Sequence, residues 1–354
     1  MKDVLIMDPE LASPDEVYEM GEAYFFGKNV GQDLSKALGL WHIAARKDHA
    51  GALFRLSQAY RMGAGVSLDL LESFDCLFKA AQGGLAEAQL TLAEAYGSGQ
   101  PYGEKNAAKS IKWYAKAADQ GVLDAQITLA NSYYTGDGVE KSLSQAVKYT
   151  LLAAKQGHPQ AQHNMGSFYY KGDGVERDLS QAFKYYRLAA EQDFREAQFS
   201  LGQAYFDGEG VEKDLGQALK YWRLAADQDH PLAEYNIGAF YYNGLGLERD
   251  LGQAFKYWRL AADQGVPEAQ LCLGKLYAKG EGVERDPVQA ATNWRLAADQ
   301  GHPQAQFYLG QAYFDGEGIE KDLGQAVKYW RLAAAQGHAQ ALIRLREMED
   351  SQGG

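Results

Sequence analysis

The sequence lacks several features that would point to chemistry, to nucleic acid or to a membrane. Cysteine occurs only as Cys76 and Cys272, and the repeat register described below sets the two more than five repeats apart, beyond disulfide reach. No disulfide framework is needed, so a reducing compartment is permitted. Basic residues are in deficit, with 35 Lys and Arg against 47 Asp and Glu and a formal charge of -12. Phosphate-backbone binding draws its free energy from clustered Lys and Arg, so this balance argues against a nucleic-acid partner. Long apolar runs are missing too. No segment approaches the roughly 18 apolar residues of a membrane span, and Val4-Leu5-Ile6-Met7 is too short for a signal-peptide core. The expectation is a chain that does not insert into membranes and is cytoplasmic, or periplasmic if a signal peptide has been removed from it.

Repetition is abundant. Glycines stand at Gly27, Gly63, Gly99, Gly136, Gly172, Gly208, Gly244, Gly280 and Gly316, spaced by 36 residues with one interval of 37. A tyrosine precedes each by three positions, from Tyr24 to Tyr313, and an Ala-Ala pair closes each unit, as at Ala44-Ala45, Ala189-Ala190 and Ala333-Ala334. A fixed period of this length is the signature of a solenoid, and paired alanines let helices approach closely.

Each unit reads as two helices, A and B. In the unit spanning 159–190, Ala161, Met165, Gly166 and Tyr169 recur at helical spacing and form the core face of helix A. Gly172 and the Gly-x-Gly-Val that it opens supply positive φ between the helices, with Asn29 standing in for the second glycine of the first unit. Helix B opens at Asp178-Leu-Ser-Gln181, repeated at Asp214, Asp250 and Asp322, which predicts a capping box with the Gln reaching back to the cap. It then buries Ala182, Tyr186 and the Ala pair. Ser13-Pro14-Asp15-Glu16 predicts the start of the first helix A. The expected organisation is an N-terminal tail over 1–12, nine units over 13–338, and a capping helix and tail over 339–354. Arg344, Arg346, Glu347, Glu349 and Asp350 give that cap a polar face. The third unit carries Gln100-Pro101-Tyr102-Gly103 as an insertion, expected to be a local bulge.

The string seen as Ala197, Leu201-Gly202, Tyr205, Gly208, Gly210-Val211, Asp214, Ala218, Trp222 and Ala225-Ala226 resembles the Sel-one-like repeat, a relative of the tetratricopeptide repeat. The resemblance covers about residues 14 to 345; Leu77, Thr150 and a Tyr depart from it at the Trp position. It implies an all-α, right-handed α/α superhelical solenoid of nine helix-turn-helix repeats with helix A on the concave side. It also implies the roles of such proteins: adaptors, or immunity proteins that neutralise secreted bacterial toxins by direct binding. Cysteine-rich relatives linked to penicillin binding suggest a rival, a β-lactam-binding or hydrolysing enzyme, but this chain lacks their cysteines.

Candidate chemistry is sparse. His49, His158, His230, His302 and His338 share one repeat position before helix A, which strings them along the solenoid and favours a turn role over metal binding. Neither Ser-x-x-Lys nor Gly-x-Ser-x-Gly occurs. Loops such as Gly208-Glu209-Gly210 lack the strand-to-helix setting of a phosphate cradle, and Glu209, Glu281 and Glu317 would repel phosphate. No cofactor, metal or catalytic residue is expected.

The helix A positions equivalent to 163, 167 and 170 hold the candidate binding residues. Two of these positions read Tyr18 and Phe25, Phe54 and Arg61, Ile127 and Tyr134, His163 and Tyr170, Phe199 and Phe206, Tyr235 and Tyr242, Phe307 and Phe314. Polar residues lie between, among them Asn131, Gln203, Lys275 and Gln311. An aromatic stripe with interleaved hydrogen-bonding groups suits capture of a protein or peptide, by a chain expected to be monomeric. The alternative is that neighbouring A helices bury part of the stripe against one another, above all at the positions equivalent to 163.

Overall fold

The computed structural model describes residues 8–352, and among these every regular element is a helix. The helices fall into two compact units, residues 1–177 and 178–354. In the first, the A helices are α1 (Pro14–Phe26), α3 (Ala50–Met62), α5 (Ala86–Ser98), α7 (Leu123–Thr135) and α9 (Pro159–Lys171). The B helices are α2 (Leu34–Arg46), α4 (Leu70–Gln82), α6 (Ala107–Asp119) and α8 (Leu143–Lys155). In the second unit, B helices α10 (Leu179–Ala190), α12 (Leu215–Ala226), α14 (Leu251–Asp263), α16 (Pro287–Asp299) and α18 (Leu323–Ala335) alternate with A helices α11 (Arg195–Asp207), α13 (Pro231–Asn243), α15 (Pro267–Lys279) and α17 (Pro303–Asp315). The last helix is α19 (Ala339–Gln352). Within each unit, successive helices pack on one another in chain order, each A helix against its own B helix and each B helix against the next A. This serial stacking makes each unit an α-solenoid.

The boundaries follow from local chemistry. Helix A ends on a left-handed glycine, such as Gly208 at φ 77, whose amide donates to the carbonyl of Ala204. Helix B opens on an Asp, or on Asn106 in α6 and Ser142 in α8, whose side chain accepts from the amide three residues on, as Asp214 does from Gln217 at 2.9 Å. The expected return bond from the Gln to the cap does not form, and the reason is geometric. The amides of Asp214, Asp250 and Asp322 already donate to the carbonyls of Tyr205, Tyr241 and Tyr313 at 3.0 Å. Helix B is thereby tied to the last turn of helix A, and among the described residues a capping box is complete only at Ser13 and Glu16.

The core is built from the repeat positions that the periodicity singles out. Ala182, Tyr186, Ala189 and Ala190 are buried, as are Ala161, Met165 and Gly166, while the tyrosines of the last turn, including Tyr169, are half-buried. Five helix A glycines have a single purpose. A Cβ on Gly21, Gly202, Gly238, Gly274 or Gly310 would collide with the indole of Trp41, Trp222, Trp258, Trp294 or Trp330 on the paired B helix. Glycine there lets a large ring lie directly on helix A, which is the close packing that the interior demands.

Both ends are held by packing. Residues 1–7 lie outside the described residues, but Ala12 is buried, and Lys47 Nζ donates to the carbonyls of Glu10 and Ala12 at 2.9 and 2.7 Å. In α19 Ala341 is buried and Leu345 half-buried toward α18. The outer face exposes Leu342 and Ile343 beside the expected charges, so the cap is less polar than its sequence suggests. The inserted loop of the third repeat folds back, with Tyr102 Oη 2.8 Å from Ser73 Oγ and its ring 5.4 Å from that of Phe74.

Candidate functional site

The repeated histidines cap helices. Nδ1 of His49, His158, His230, His302 and His338 accepts from the backbone amide three residues on, at 3.0 to 3.4 Å. This satisfies one of the amides that every helix start leaves without an intrahelical partner. Among the described residues no three His, Cys, Asp or Glu side chains lie close enough to hold a metal ion, and no helix is long and apolar enough to cross a membrane. Burial pushes both thiols, Cys76 and Cys272, up to about 11.

The helix A stripe divides into two rows. Residues equivalent to 163 form the inner row and sit between repeats. Phe54 and Phe307 are buried, Tyr18, Ile127, His163, Phe199 and Tyr235 half-buried. The rings of Tyr18, Phe199 and Phe307 stack on the cap histidines of the following A helix, His49, His230 and His338, with centroids 4.5 to 4.8 Å apart. This row therefore joins one repeat to the next, as the packing alternative has it.

The outer row, equivalent to 170, is more open. Tyr134 and Tyr170 are 42% and 39% exposed and Arg61 is exposed, while Phe25, Phe206, Tyr242 and Phe314 are half-buried. Each half-buried ring packs, tilted by 40 to 49°, on the B-helix indole of its own repeat: Phe25 on Trp41, Phe206 on Trp222, Tyr242 on Trp258 and Phe314 on Trp330, at 5.2 to 5.5 Å. A cation lies over the ring. Lys213 covers Phe206, Arg249 covers Tyr242 and Lys321 covers Phe314. Lys141 and Arg177 hold the same place over Tyr134 and Tyr170, and Arg55 lies over Phe25. The eighth repeat rebuilds this arrangement with other residues. Ala278 supplies no ring there, so Tyr308 of the next A helix stacks on Trp294 at 5.2 Å with Lys275 above it. Burial lowers the ammonium pKa of Lys275. The loop cations escaped the sequence reading, although a Lys or Arg five residues after the repeat glycine recurs from the fourth unit to the ninth.

The polar row between them is mixed. Asn131 is exposed, and Gln203, Lys275 and Gln311 are half-buried. Gln203 donates to Asp207 and Gln311 to Asp315, at 2.6 and 2.8 Å, and Asn236 of the next A helix donates to Gln203 at 3.4 Å. Glu22 receives a two-pronged bond from Arg55 at 2.9 and 2.6 Å.

A second polar row was missed, because amphipathic periodicity assigns glutamines to the surface. Gln89, Gln126, Gln162, Gln198, Gln270 and Gln306 are buried on helix A. Gln126 donates to the carbonyl of Ala118 at 3.1 Å and accepts from Gln156 at 2.8 Å. Gln270 and Gln306 each bridge a preceding alanine carbonyl and a following glutamine in the same way. Identity across the repeat register was the signal that could have found them. Glu234 holds this position in the seventh repeat, 2% exposed and accepting from Gln264 at 2.7 Å. Burial pushes its carboxyl up to about 7, with Asp229 and Asp263 adding to the rise and the Gln264 bond opposing it.

One cavity of about 290 Å³ opens on the helix A side of the fourth and fifth repeats, between α7 and α9. Its walls are Ala130, Tyr134 and Phe168 and its floor Thr150; Asn131, Asn164, Ser167, Lys171 and Asp173 stand around them.

The Sel1 repeat profile matches nine consecutive segments, 17–49, 50–85, 86–122, 123–158, 159–194, 195–230, 231–266, 267–302 and 303–338. Among solved structures, a Sel1 repeat protein from Oxalobacter formigenes is similar with 30% identity and a TM-score of 0.73, over 98% of this chain and 99% of that one. A protective antigen of uropathogenic Escherichia coli strains, described as displaying an SLR fold, shares 29% identity with a TM-score of 0.66, over 95% of this chain and 79% of that one. An immunity protein from Pseudomonas aeruginosa is matched at 23% identity with a TM-score of 0.37, over 60% of this chain and 81% of that one. No curated protein sequence matches the chain.

Proposed function

Because the chain belongs to the Sel1-repeat family, whose members generally mediate protein–protein interaction, we propose that it is a binding scaffold whose helix A outer row docks another polypeptide. The observation that carries this reading is the recurrent ring packed between an indole and a cation and still half-exposed. A ring clamped in this way loses little side-chain freedom on binding, so its contact area converts to affinity at low entropic cost. Flanking amides and cations supply the hydrogen bonds that an incoming backbone needs. Adaptor and toxin-neutralising inhibitor are two versions of this reading, separated by whether the captured protein is a secreted toxin.

The test is capture of partners from the native host by the full chain, with identification by mass spectrometry, followed by Tyr170→Ala combined with Tyr242→Ala. The expected outcome is loss of the captured protein with helical content retained and a modest fall in melting temperature, since Tyr242 also covers Trp258. Leu201→Ala, which truncates a fully buried side chain, is the control for stability and is expected to cost about 2–5 kcal/mol while keeping the partner. Retention of the partner by the double variant, or equal loss in the control, would refute the docking surface.

A further inference from the structure

The Trp position of helix B is filled by a large side chain in every repeat but one. Trp41, Leu77, Trp113, Tyr186, Trp222, Trp258, Trp294 and Trp330 are all buried there, and the fourth repeat has Thr150 instead. The surroundings of an indole nevertheless remain, except that Ala130 stands in place of the helix A glycine, as Ala93 does in the third repeat, where Trp113 is still buried. In the sixth repeat Trp222 lies on Gly202, against Phe206 at 5.5 Å and Phe240 at 5.2 Å. The equivalents of those three residues in the fourth repeat are Ala130, Tyr134 and Phe168, and they line the cavity whose floor is Thr150. Tyr134 and Phe168 make an edge-to-face pair at 5.9 Å, but no ring from α8 lies beneath them. An engineered apolar cavity of about 150 Å³ holds a benzene, so about 290 Å³ leaves room for an indole.

We infer that this gap receives one aromatic side chain from the docked polypeptide, which takes the place that a tryptophan of the chain itself holds in the other repeats. The inference rests on the docking role proposed above and names the feature recognised there. Two observations favour a side chain of a polypeptide over a free small molecule. The cavity opens on the helix A face, beside the exposed ring of Tyr134, and so lies within the outer row proposed to dock a polypeptide. Its rim carries Asn131, Lys171 and Asp173, whose amide and ammonium donors and carboxylate acceptor match the carbonyl oxygens and N–H groups that flank a side chain in a polypeptide.

The experiment titrates the full chain with N-acetyl-tryptophanamide, N-acetyl-alaninamide and free indole, followed by amide chemical shifts in α7, α8 and α9. Saturable shifts at 130–134, 150 and 164–173 with the tryptophan probe, and none with the alanine probe, are expected. Thr150→Leu places in the fourth repeat the residue that the second repeat carries, and is expected to weaken the tryptophan probe at least tenfold without lowering the melting temperature. Thr150→Trp is the second variant, with the same expected loss of binding. No saturable shift in the unaltered chain, or equal binding by both variants, overturns the inference. So does binding of free indole with exclusion of the blocked amino acid. Because the probe is independent of any captured partner, this outcome is separate from that of the Tyr170 and Tyr242 test.

Discussion

Glycine and tryptophan are coupled across each hairpin in five repeats, and the coupling has a measurable size. Gly238→Ala places a methyl against the indole of Trp258. The expected result is a loss of about 1–3 kcal/mol in denaturant unfolding, partly recovered when Trp258→Leu is added, since Leu77 is accommodated at that position of the second repeat. Glu234 gives a pH-dependent counterpart. Its carboxyl pKa rises to about 7 on folding, whereas an unfolded Glu titrates near about 4.3. The folded state therefore binds the extra proton between those values, and stability from this group falls as pH rises from about 4.5 to 7. Glu234→Gln is expected to match the parent near pH 4.5 and to exceed it by up to about 3 kcal/mol at pH 8, from about 1.4 kcal/mol per pKa unit. A difference that stays constant across that range would contradict the assignment.

At the scale of the element, most of the architecture was legible. Gly208, Asp214 and Pro231 each act on backbone within a few residues of themselves, so their position in the sequence is their position at a helix end. The inner aromatic row was ambiguous for a physical reason. A helix of this stack has contacts on its B partner and on its neighbours along the array, so period 3.6 alone cannot separate a ring packed on His230 from one facing water. The glutamine row stayed hidden because its partners are carbonyls of a different repeat, as at Ala118 for Gln126. The loop cations were overlooked because, Arg285 apart, each acts on a ring seven residues earlier, as Lys213 on Phe206, across the turn that a helical-period reading treats as a break.

Over the whole molecule, stability in a repeat array is carried by nearest-neighbour interfaces. The outermost helix pair therefore depends on what covers it. Removing α19 would expose Trp330, now fully buried, and the partly buried Tyr313 and Phe314 that pack with it beside Ala341. Truncation after Gly337 is expected to lower amide exchange protection most in α17 and α18 and least in α11 and α12. Uniform loss across residues 178–337 would mean that these repeats unfold as one block.

The buried glutamines carry a consequence for how such a chain can grow or shrink. At the junctions of Gln126, Gln270 and Gln306 the same amide bridges the same two partners, one carbonyl behind and one glutamine ahead. Duplicating or deleting a whole module at such a seam creates a joint whose donors and acceptors already match. The seam at Glu234 differs: a second copy of it would carry another acid into the interior, so tandem gene duplication should be tolerated less readily there than at the three glutamine seams.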